Sequence, residues 1–318
     1  MLMHLGSRLR CIIAVAAASV AATACSGSDP LVTPPALQSV RALQSQAGIA
    51  AHKKKCKSEL FVSSFRLGYV AIYCTKGHNQ APLGKITAGI SGPEGANVDA
   101  NGNLYITNTN ANTVTEYAPG SVTPEFTYSG GGLGAPAGVA IDSKQNVYVT
   151  NLSPVSVVIF PQESNSPIRK ITDVTFPIDV AIDKAGNAYV TTYTSSFSSG
   201  EILEYAPGTT TGTNLGIVTK EPGGITIDKA GDIVTADQGL PGVLVFPPGK
   251  TQPSKTFAQN TLDPDPVRFA KAEHQVYVGD AVGNSVYVYD YPSGTLVDTI
   301  TDGIDGPNGV ALDPAAPL

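Results

Sequence analysis

The sequence has no tryptophan, two methionines and four histidines among its 318 residues. Without tryptophan and with few clustered aromatics, it lacks the flat apolar surfaces on which proteins stack sugar rings, so a carbohydrate platform is not favoured. Charged residues make up only 14%, and 26 acidic against 20 basic residues give a net charge of −6. Because an acidic surface repels phosphate backbones, we expect no nucleic acid partner.

Long apolar runs are also absent, apart from a short one near the start. Cys11 to Val20 is too short to span a bilayer as a mature helix. Arg8 and Arg10 precede this run, and Ala22-Thr23-Ala24-Cys25 follows it, an order that resembles the bacterial lipoprotein signal. We expect residues 1–24 to be a signal peptide and Cys25 to be lipidated. An ordinary secretory signal cleaved near Ala24 is the alternative, and both interpretations export the protein.

Cysteine is scarce, and its four positions fit export. Cys11 leaves with the signal and Cys25 would carry lipid, so one pair remains, Cys56 and Cys74. In an oxidising compartment this pair is expected to form a disulfide. A metal pair is the alternative, and it would need His52 or His78 as further ligands.

Residues 25–57 are predicted to be a flexible tether between the lipid and the folded body. Ser26-Gly27-Ser28-Asp29-Pro30 and Pro34-Pro35 break regular structure, and Leu37 to Ala51 has no strong apolar stripe. Contact with the membrane is expected through the lipid anchor only. Ser26 lacks the acidic character that retains many lipoproteins at the inner membrane, which favours the outer membrane or the cell surface within the cell envelope.

One phrase recurs along the rest of the chain, Pro-x-Gly-apolar-x-apolar-Asp followed by a polar turn and apolar-Tyr-Val-Thr. Its aspartates at Asp99, Asp142, Asp183 and Asp228 are 43, 41 and 45 residues apart. A period in this range indicates a repeat architecture. The recurring Asp is explained by turn chemistry, because its side chain can cap the backbone of its own turn.

Each repeat contains four short strand patterns, which is typical of a β-propeller blade. Second strands are predicted to begin near six residues: Leu60, Leu104, Val147, Ala188, Ile233 and Val276. We therefore predict that residues 58–318 form an all-β, six-bladed β-propeller with four-stranded blades. The first blade lacks a first strand, and Gly309 to Leu312 is predicted to supply it and close the ring. In the degenerate last full repeat, Lys271 stands where Asp is expected.

The phrase Gly-Val-Ala-Ile-Asp, with Glu-Tyr-Ala-Pro-Gly at Glu116 to Gly120 and Glu204 to Gly208, resembles the NHL-repeat and YncE-like propellers of exported bacterial proteins. Such repeats occur in scaffolds, peptide-binding modules, lyases and lactonases, so the resemblance implies fold more than activity. We expect a binding or scaffold module without catalytic activity, metal or other cofactor. A protein or small ligand would bind one face, near the loops Thr191 to Gly200 and Gln259 to Val267.

The same frame has a distant similarity to the gluconolactonase and senescence-marker group of six-bladed propellers, which hold a divalent cation in the channel. That similarity implies Glu94 and Asn308 as ligands, joined by Asp265 one residue out of frame, around calcium or zinc. Asp265 or Asp179 would then act as a base in a metal-dependent lactonase or hydrolase. Against this, Ala137, Ile178 and Gly223 occupy other ring positions, and short polar residues also line water-filled channels.

Overall fold

A computed structural model describes residue 56, residues 58–270 and residues 272–313. The predicted signal peptide, Cys25 and nearly all of the predicted tether lie outside these residues. Among the residues that are described, no helix has the length and apolarity needed to cross a membrane.

The described chain forms 24 strands arranged as six four-stranded antiparallel sheets. The inner strands are β4 (Pro93–Val98), β8 (Pro136–Ile141), β12 (Pro177–Ile182), β16 (Pro222–Ile227), β20 (Pro264–Phe269) and β24 (Pro307–Asp313). The second strands are β1 (Glu59–Ser64), β5 (Leu104–Asn108), β9 (Val147–Leu152), β13 (Ala188–Tyr193), β17 (Ile233–Asp237) and β21 (Gln275–Asp280).

The outer half of each sheet completes the blade. The third strands are β2 (Tyr69–Cys74), β6 (Thr113–Tyr117), β10 (Val155–Phe160), β14 (Gly200–Tyr205), β18 (Gly242–Phe246) and β22 (Ser285–Asp290). The fourth strands are β3 (Gly84–Ile86), β7 (Phe126–Tyr128), β11 (Arg169–Ile171), β15 (Thr213–Thr219), β19 (Lys255–Phe257) and β23 (Thr295–Ile300). Blade 1 is β24-β1-β2-β3, and blades 2 to 6 follow in chain order.

The last strand closes the ring by pairing with the first, as predicted. In the β24–β1 pair, Leu312 faces Leu60 and Val310 faces Val62. Each inner strand also contacts the inner strands of both neighbouring blades, so the six inner strands surround a central channel. The predicted six-bladed propeller is confirmed, and closure of the ring encloses the inner sheet edges in the channel, where they cannot pair with the sheets of another chain.

The apolar core lies between the blades. Six clusters of buried side chains are present, and each is shared by two adjacent blades. The cluster between blades 6 and 1, where the ring closes, is the seam cluster. It contains Leu60 and Val62 from β1, Val310 and Leu312 from β24, and Tyr277 from blade 6. Burial of these apolar surfaces is the main force that holds the blades side by side.

The repeated aspartates cap the turns between inner and second strands, as the sequence predicts. Asp99 Oδ1 accepts hydrogen bonds from the amides of Asn101 and Asn103, at 2.9 and 2.8 Å. The same pair of bonds recurs at Asp142, Asp183 and Asp228. We call the side of the disc that carries these turns the turn face.

The glycine and threonine of the repeat join one blade to the next. The Gly95 amide donates to Thr107 Oγ1 at 2.7 Å, and that hydroxyl donates to the Ala137 carbonyl of the next blade at 2.6 Å. A Cβ on Gly95 would collide with the same carbonyl. Thr150 and Thr191 repeat the bond to the following blade.

The predicted disulfide is present. Cys56 and Cys74 are bonded, with their Cα atoms 5.5 Å apart. Cys74 ends β2 and pairs across the strands with Glu59, at the start of β1. The bridge therefore fastens the chain before β1 to the blade that both ends of the chain build.

Candidate functional site

The three predicted metal ligands occupy one equivalent position on consecutive blades. Glu94, Asp265 and Asn308 each follow the proline that begins an inner strand, in blades 2, 6 and 1. Pro93 pairs with Asn108, Pro264 with Asp280 and Pro307 with Ser64, which are equivalent ends of second strands. Asp265 therefore stands in frame with Glu94, and its predicted one-residue offset is wrong.

The offset came from an extra residue in the turn between β20 and β21. Phe269 pairs with Val276, whereas the equivalent pair in blade 2 is Val98 with Leu104, one residue closer along the chain. The Ala270 amide donates to the Gln275 carbonyl, as the Asp99 amide does to Asn103. Ala270 thus takes the place of the turn aspartate, which the sequence comparison assigned to Lys271.

All three side chains are buried. Glu94 is 4% exposed, Asn308 5% and Asp265 0%. Thr109 Oγ1 lies 2.6 Å from Glu94 Oε2, to which it donates, and 2.7 Å from the Pro136 carbonyl. Within the described residues, no group of three or more His, Cys, Asp and Glu side chains is spaced to hold a metal ion. A metal there would depend on the Asn308 amide oxygen and two carboxylates.

Asp179, the other predicted base, is engaged in a buried ion pair. Its Oδ2 lies 3.1 Å from Nη1 of Arg268 and accepts the Ile225 amide at 3.1 Å. The side chains of Asp179 and Arg268 are 5% and 11% exposed. The carboxylate already pairs with the Arg268 guanidinium and accepts an amide of β16, so a role as base would require this pair to open.

On the turn-face side, the channel opens into a cavity of about 710 Å³. Inner strands of all six blades line it, and Arg268 contributes to its wall. The turn aspartates at its rim cap their own backbone, as described above.

The opposite side of the disc carries the hairpins between second and third strands and the connections that lead into the inner strands. We call it the hairpin face. One short polar side chain per blade, at the end of the second strand, accepts a backbone amide of the incoming connection at 2.6–3.0 Å. These six residues are Ser64, Asn108, Asn151, Thr192, Asp237 and Asp280. Sequence reasoning missed this position, although the second strand of every repeat ends in a short polar residue or has one next to its end.

Exposed apolar side chains concentrate on the hairpin face. Eight large hydrophobic residues are exposed in the described chain, and six of them lie here: Leu67, Phe197, Val218, Leu240, Leu262 and Val282. They belong to blades 4, 5, 6 and 1 and to the connection between blades 5 and 6. Val218 and Leu240 line a groove of about 760 Å³ that also reaches Ser198 and Gln259. Both loops that were predicted to bind a partner contribute to this surface.

A small aromatic cluster anchors one end of the surface. The rings of Phe176, Tyr193 and Phe197 have centroids 5.8–6.1 Å apart. The Phe197 amide donates to the Thr194 carbonyl at 2.9 Å, which holds the loop in place. Phe197 is 47% exposed, so part of its ring is available for contact. The cluster joins Tyr193 and Phe197, from one of the two predicted binding loops, to Phe176.

Comparisons with known proteins bear on the fold. No family model and no curated protein matches the chain. Among solved structures, a chain of a nidogen–laminin complex has a TM-score of 0.66 at 18% identity, covering 80% of this chain and 98% of that one. A Bacteroides caccae protein of unknown function gives 0.62 at 12% identity, covering 80% and 98%. A functionally unknown Desulfotomaculum acetoxidans protein gives 0.59 at 17%, covering 82% and 99%. At these identities the likeness supports a propeller fold.

Proposed function

We propose that this chain is an exported, lipid-anchored propeller of the NHL-repeat or YncE-like kind that binds a partner protein through its hairpin face. It would act as a binding or scaffold module and catalyse no reaction. The observation that carries the proposal is the placement of six of the eight exposed large hydrophobic side chains on that one face. Two of them, Val218 and Leu240, line one groove, and exposed apolar surface gathered in this way is typical of interaction sites.

The kind of partner follows from the chemistry of the face. Leu240, Leu262 and Val218 are 65%, 62% and 66% exposed, and they offer apolar contact without a deep enclosed pocket. Phe197 adds an aromatic ring on a held loop, and aromatic anchors often dominate the binding energy of protein interfaces. A folded protein surface covers such dispersed residues better than a small molecule does. The complex of nidogen with laminin is one in which a similar fold occurs beside a partner protein.

The placement of the protein outside the cell rests on two features. The Cys56–Cys74 disulfide is the state expected of an oxidising compartment. The Ala22-Thr23-Ala24-Cys25 box supplies the site of lipid attachment. We propose an envelope location, at the outer membrane or the cell surface, with the propeller held away from the lipid by the segment before Cys56.

The binding proposal is tested with a triple variant, Val218→Ser, Leu240→Ser and Leu262→Ser. The matched control is Ile168→Ser with Leu296→Ser, since Ile168 directly precedes the outer strand β11 and Leu296 lies on the outer strand β23, both away from the hairpin face. Envelope proteins that bind the wild type are identified, purified and titrated against each form. We expect the triple variant to weaken binding at least tenfold, with the control unchanged. Equal binding by all three folded forms would refute the assignment of the face.

A second candidate function is a metal-dependent lactonase or hydrolase. The alignment of Glu94, Asn308 and Asp265 at one position of three consecutive blades favours it. These ligands offer only oxygen, which suits calcium better than zinc. Asp265 would be the remaining candidate base, since Asp179 pairs with Arg268.

Elemental analysis separates the two candidate functions. The enzyme proposal expects about one calcium ion per purified chain, lost in Glu94→Gln and retained in the exposed control Glu125→Gln. Hydrolysis of a sugar lactone, abolished by a chelator and restored by calcium, should accompany it. A chain that binds no metal and has the same melting temperature with and without chelator would eliminate this candidate.

A further inference from the structure

The cavity on the turn-face side of the channel has the size of a small-molecule site. Its volume of about 710 Å³ falls within the roughly 300–1,000 Å³ typical of ligand pockets. It is distinct from the hairpin face and from the ring of Glu94, Asp265 and Asn308, because none of these residues lines it. Its binding properties therefore do not depend on either function proposed above.

One inner-strand position forms a ring around this cavity. The repeat has alanine there in three blades, at Ala140, Ala181 and Ala311, and each of these also packs in an apolar cluster between blades. The other three blades carry a polar residue instead, and all six line the cavity: Asn97, Ala140, Ala181, Thr226, Arg268 and Ala311. The apolar residues next in sequence, among them Val98, Ile141 and Ile182, also line the cavity. The wall therefore combines apolar side chains with a few polar groups.

Backbone groups of the inner strands add to that wall. The backbone amide of Ile225 donates to Asp179, and its carbonyl accepts from Arg268. Both backbone groups therefore point into the channel and away from β17. The Asn97 side chain covers the equivalent carbonyl of Val139 at 3.1 Å. In the described chain no side chain bonds the equivalent residues of blades 2, 4 and 1, which are Ala96, Val180 and Val310. These strand edges offer donors and acceptors to a ligand.

The charges select against ions. Within the ring of inner-strand residues, the charge of Arg268 is neutralised by Asp179. The rim carries four turn aspartates against Lys184 and Lys229, so an approaching anion meets net negative charge. A cation would have to settle beside the Arg268 guanidinium. An uncharged molecule avoids both costs.

We infer that this cavity binds a small uncharged molecule rich in hydroxyl groups, a polyol or a monosaccharide. Asn97 and Thr226 provide an amide and a hydroxyl, and Thr226 bonds no other described group. Hydroxyls of the ligand would pair with these side chains and with the free strand edges. Binding of this kind needs no tryptophan, because hydrogen bonds around the ring replace stacking.

The test measures the binding of myo-inositol and D-galactose to the propeller, by saturation-transfer NMR and by titration. D-galacturonate and D-galactosamine are the charged counterparts. Ala181→Leu places a larger side chain at the cavity wall, Thr226→Val removes one hydroxyl at nearly constant volume, and Ala206→Leu is a control on an exposed turn. We expect an uncharged probe to bind in the millimolar range or tighter, at least tenfold more weakly in Ala181→Leu.

Loss of one hydrogen bond in Thr226→Val should weaken binding by about threefold to tenfold. The control variant should bind as the wild type does. The inference is overturned if neither uncharged probe binds, if the charged probes bind more tightly, or if Thr226→Val and Ala181→Leu, both folded, bind as the control does. Because Thr226→Val changes little volume, it keeps the test decisive should Ala181→Leu fail to fold.

Discussion

Nη1 of Arg268 lies 3.1 Å from Oδ2 of Asp179, although the two residues are 89 positions apart and belong to blades 6 and 4. Ile225 of blade 5 lies between them, donating its amide to Asp179 and accepting Arg268 at its carbonyl, at 3.1 and 3.0 Å. Asp179 stands where the repeat has glycine and Arg268 where it has alanine. A buried ion pair therefore ties three blades together inside the channel.

Breaking this pair from one side should destabilise the fold. Arg268→Ala leaves the Asp179 carboxylate buried without its cation, and we expect the free energy of unfolding to fall by about 3 kcal/mol. The double variant Asp179→Gly with Arg268→Ala restores the residues of the repeat and should cost less than Arg268→Ala alone. Urea denaturation measures both. The single variant Asp179→Gly completes the set. If the loss of unfolding free energy in the double variant equals the summed losses of the two single variants, this account is contradicted. Arg66→Ala, which removes an exposed pair with Asp305, serves as a control.

The six polar side chains that accept an amide of the incoming connection on the hairpin face, here called the connection caps, should contribute strongly to stability. Asn151 is fully buried, accepts the Gly134 amide at 2.6 Å and donates to the carbonyls of Gly132 and Pro154 at 2.9 and 2.7 Å. Asn151→Ala leaves these groups without partners, so we expect a loss of about 2–3 kcal/mol in urea denaturation. Asn101→Ala, on an exposed turn, should change stability by less than about 0.5 kcal/mol. Equal stability of the two variants would show that the caps are dispensable.

The disulfide should stabilise the seam blade. Cys56 and Cys74 are 18 residues apart, and closing a loop of this size contributes about 3 kcal/mol in the chain-entropy account. We expect Cys56→Ser to lower the melting temperature, and reduction of the wild type to lower it equally. Calorimetry with and without reductant checks both. An unchanged melting temperature in Cys56→Ser under oxidising conditions would count against the structural role.

Stability should fall at alkaline pH. Burial raises the pKa of Tyr117, Tyr277 and Tyr289 to about 12, above the value of about 10 for an unfolded chain. Between these values the unfolded chain has lost the phenolic protons that the folded chain retains, so rising pH favours unfolding. The urea midpoint should drop between about pH 10 and about pH 12. Ionisation of all tyrosines near pH 10 in the native protein, followed by ultraviolet absorbance, would be the opposite result.

The fold was predictable because its determinants are local and repeated. The turn aspartates, the Tyr-Val-Thr strands and the proline starts recur in each blade, and the missing first strand before Leu60 pointed to its replacement at Gly309. Strand register depends on partners, however. The extra residue between β20 and β21 could be recognised only once Phe269 was seen to face Val276, and it corrected the frame of Asp265.

The candidate sites were less predictable because they combine distant residues. The loops that contain Phe197 and Leu262 could be identified as unusual in length or composition, but not their common face. Arg268 was overlooked because its partner lies two blades away. Asn151 and its equivalents lie in a repeated position, but their role depends on the connection arriving from the preceding blade.

Site-specific photo-cross-linking in the intact cell envelope tests the central functional claim most directly. A photoreactive residue replaces Leu240 on the hairpin face, 65% exposed, or Ile168 directly before the outer strand β11, 60% exposed. The account predicts a discrete protein adduct from position 240 and none from position 168. No adduct from position 240, or the same adduct from both positions, would contradict it.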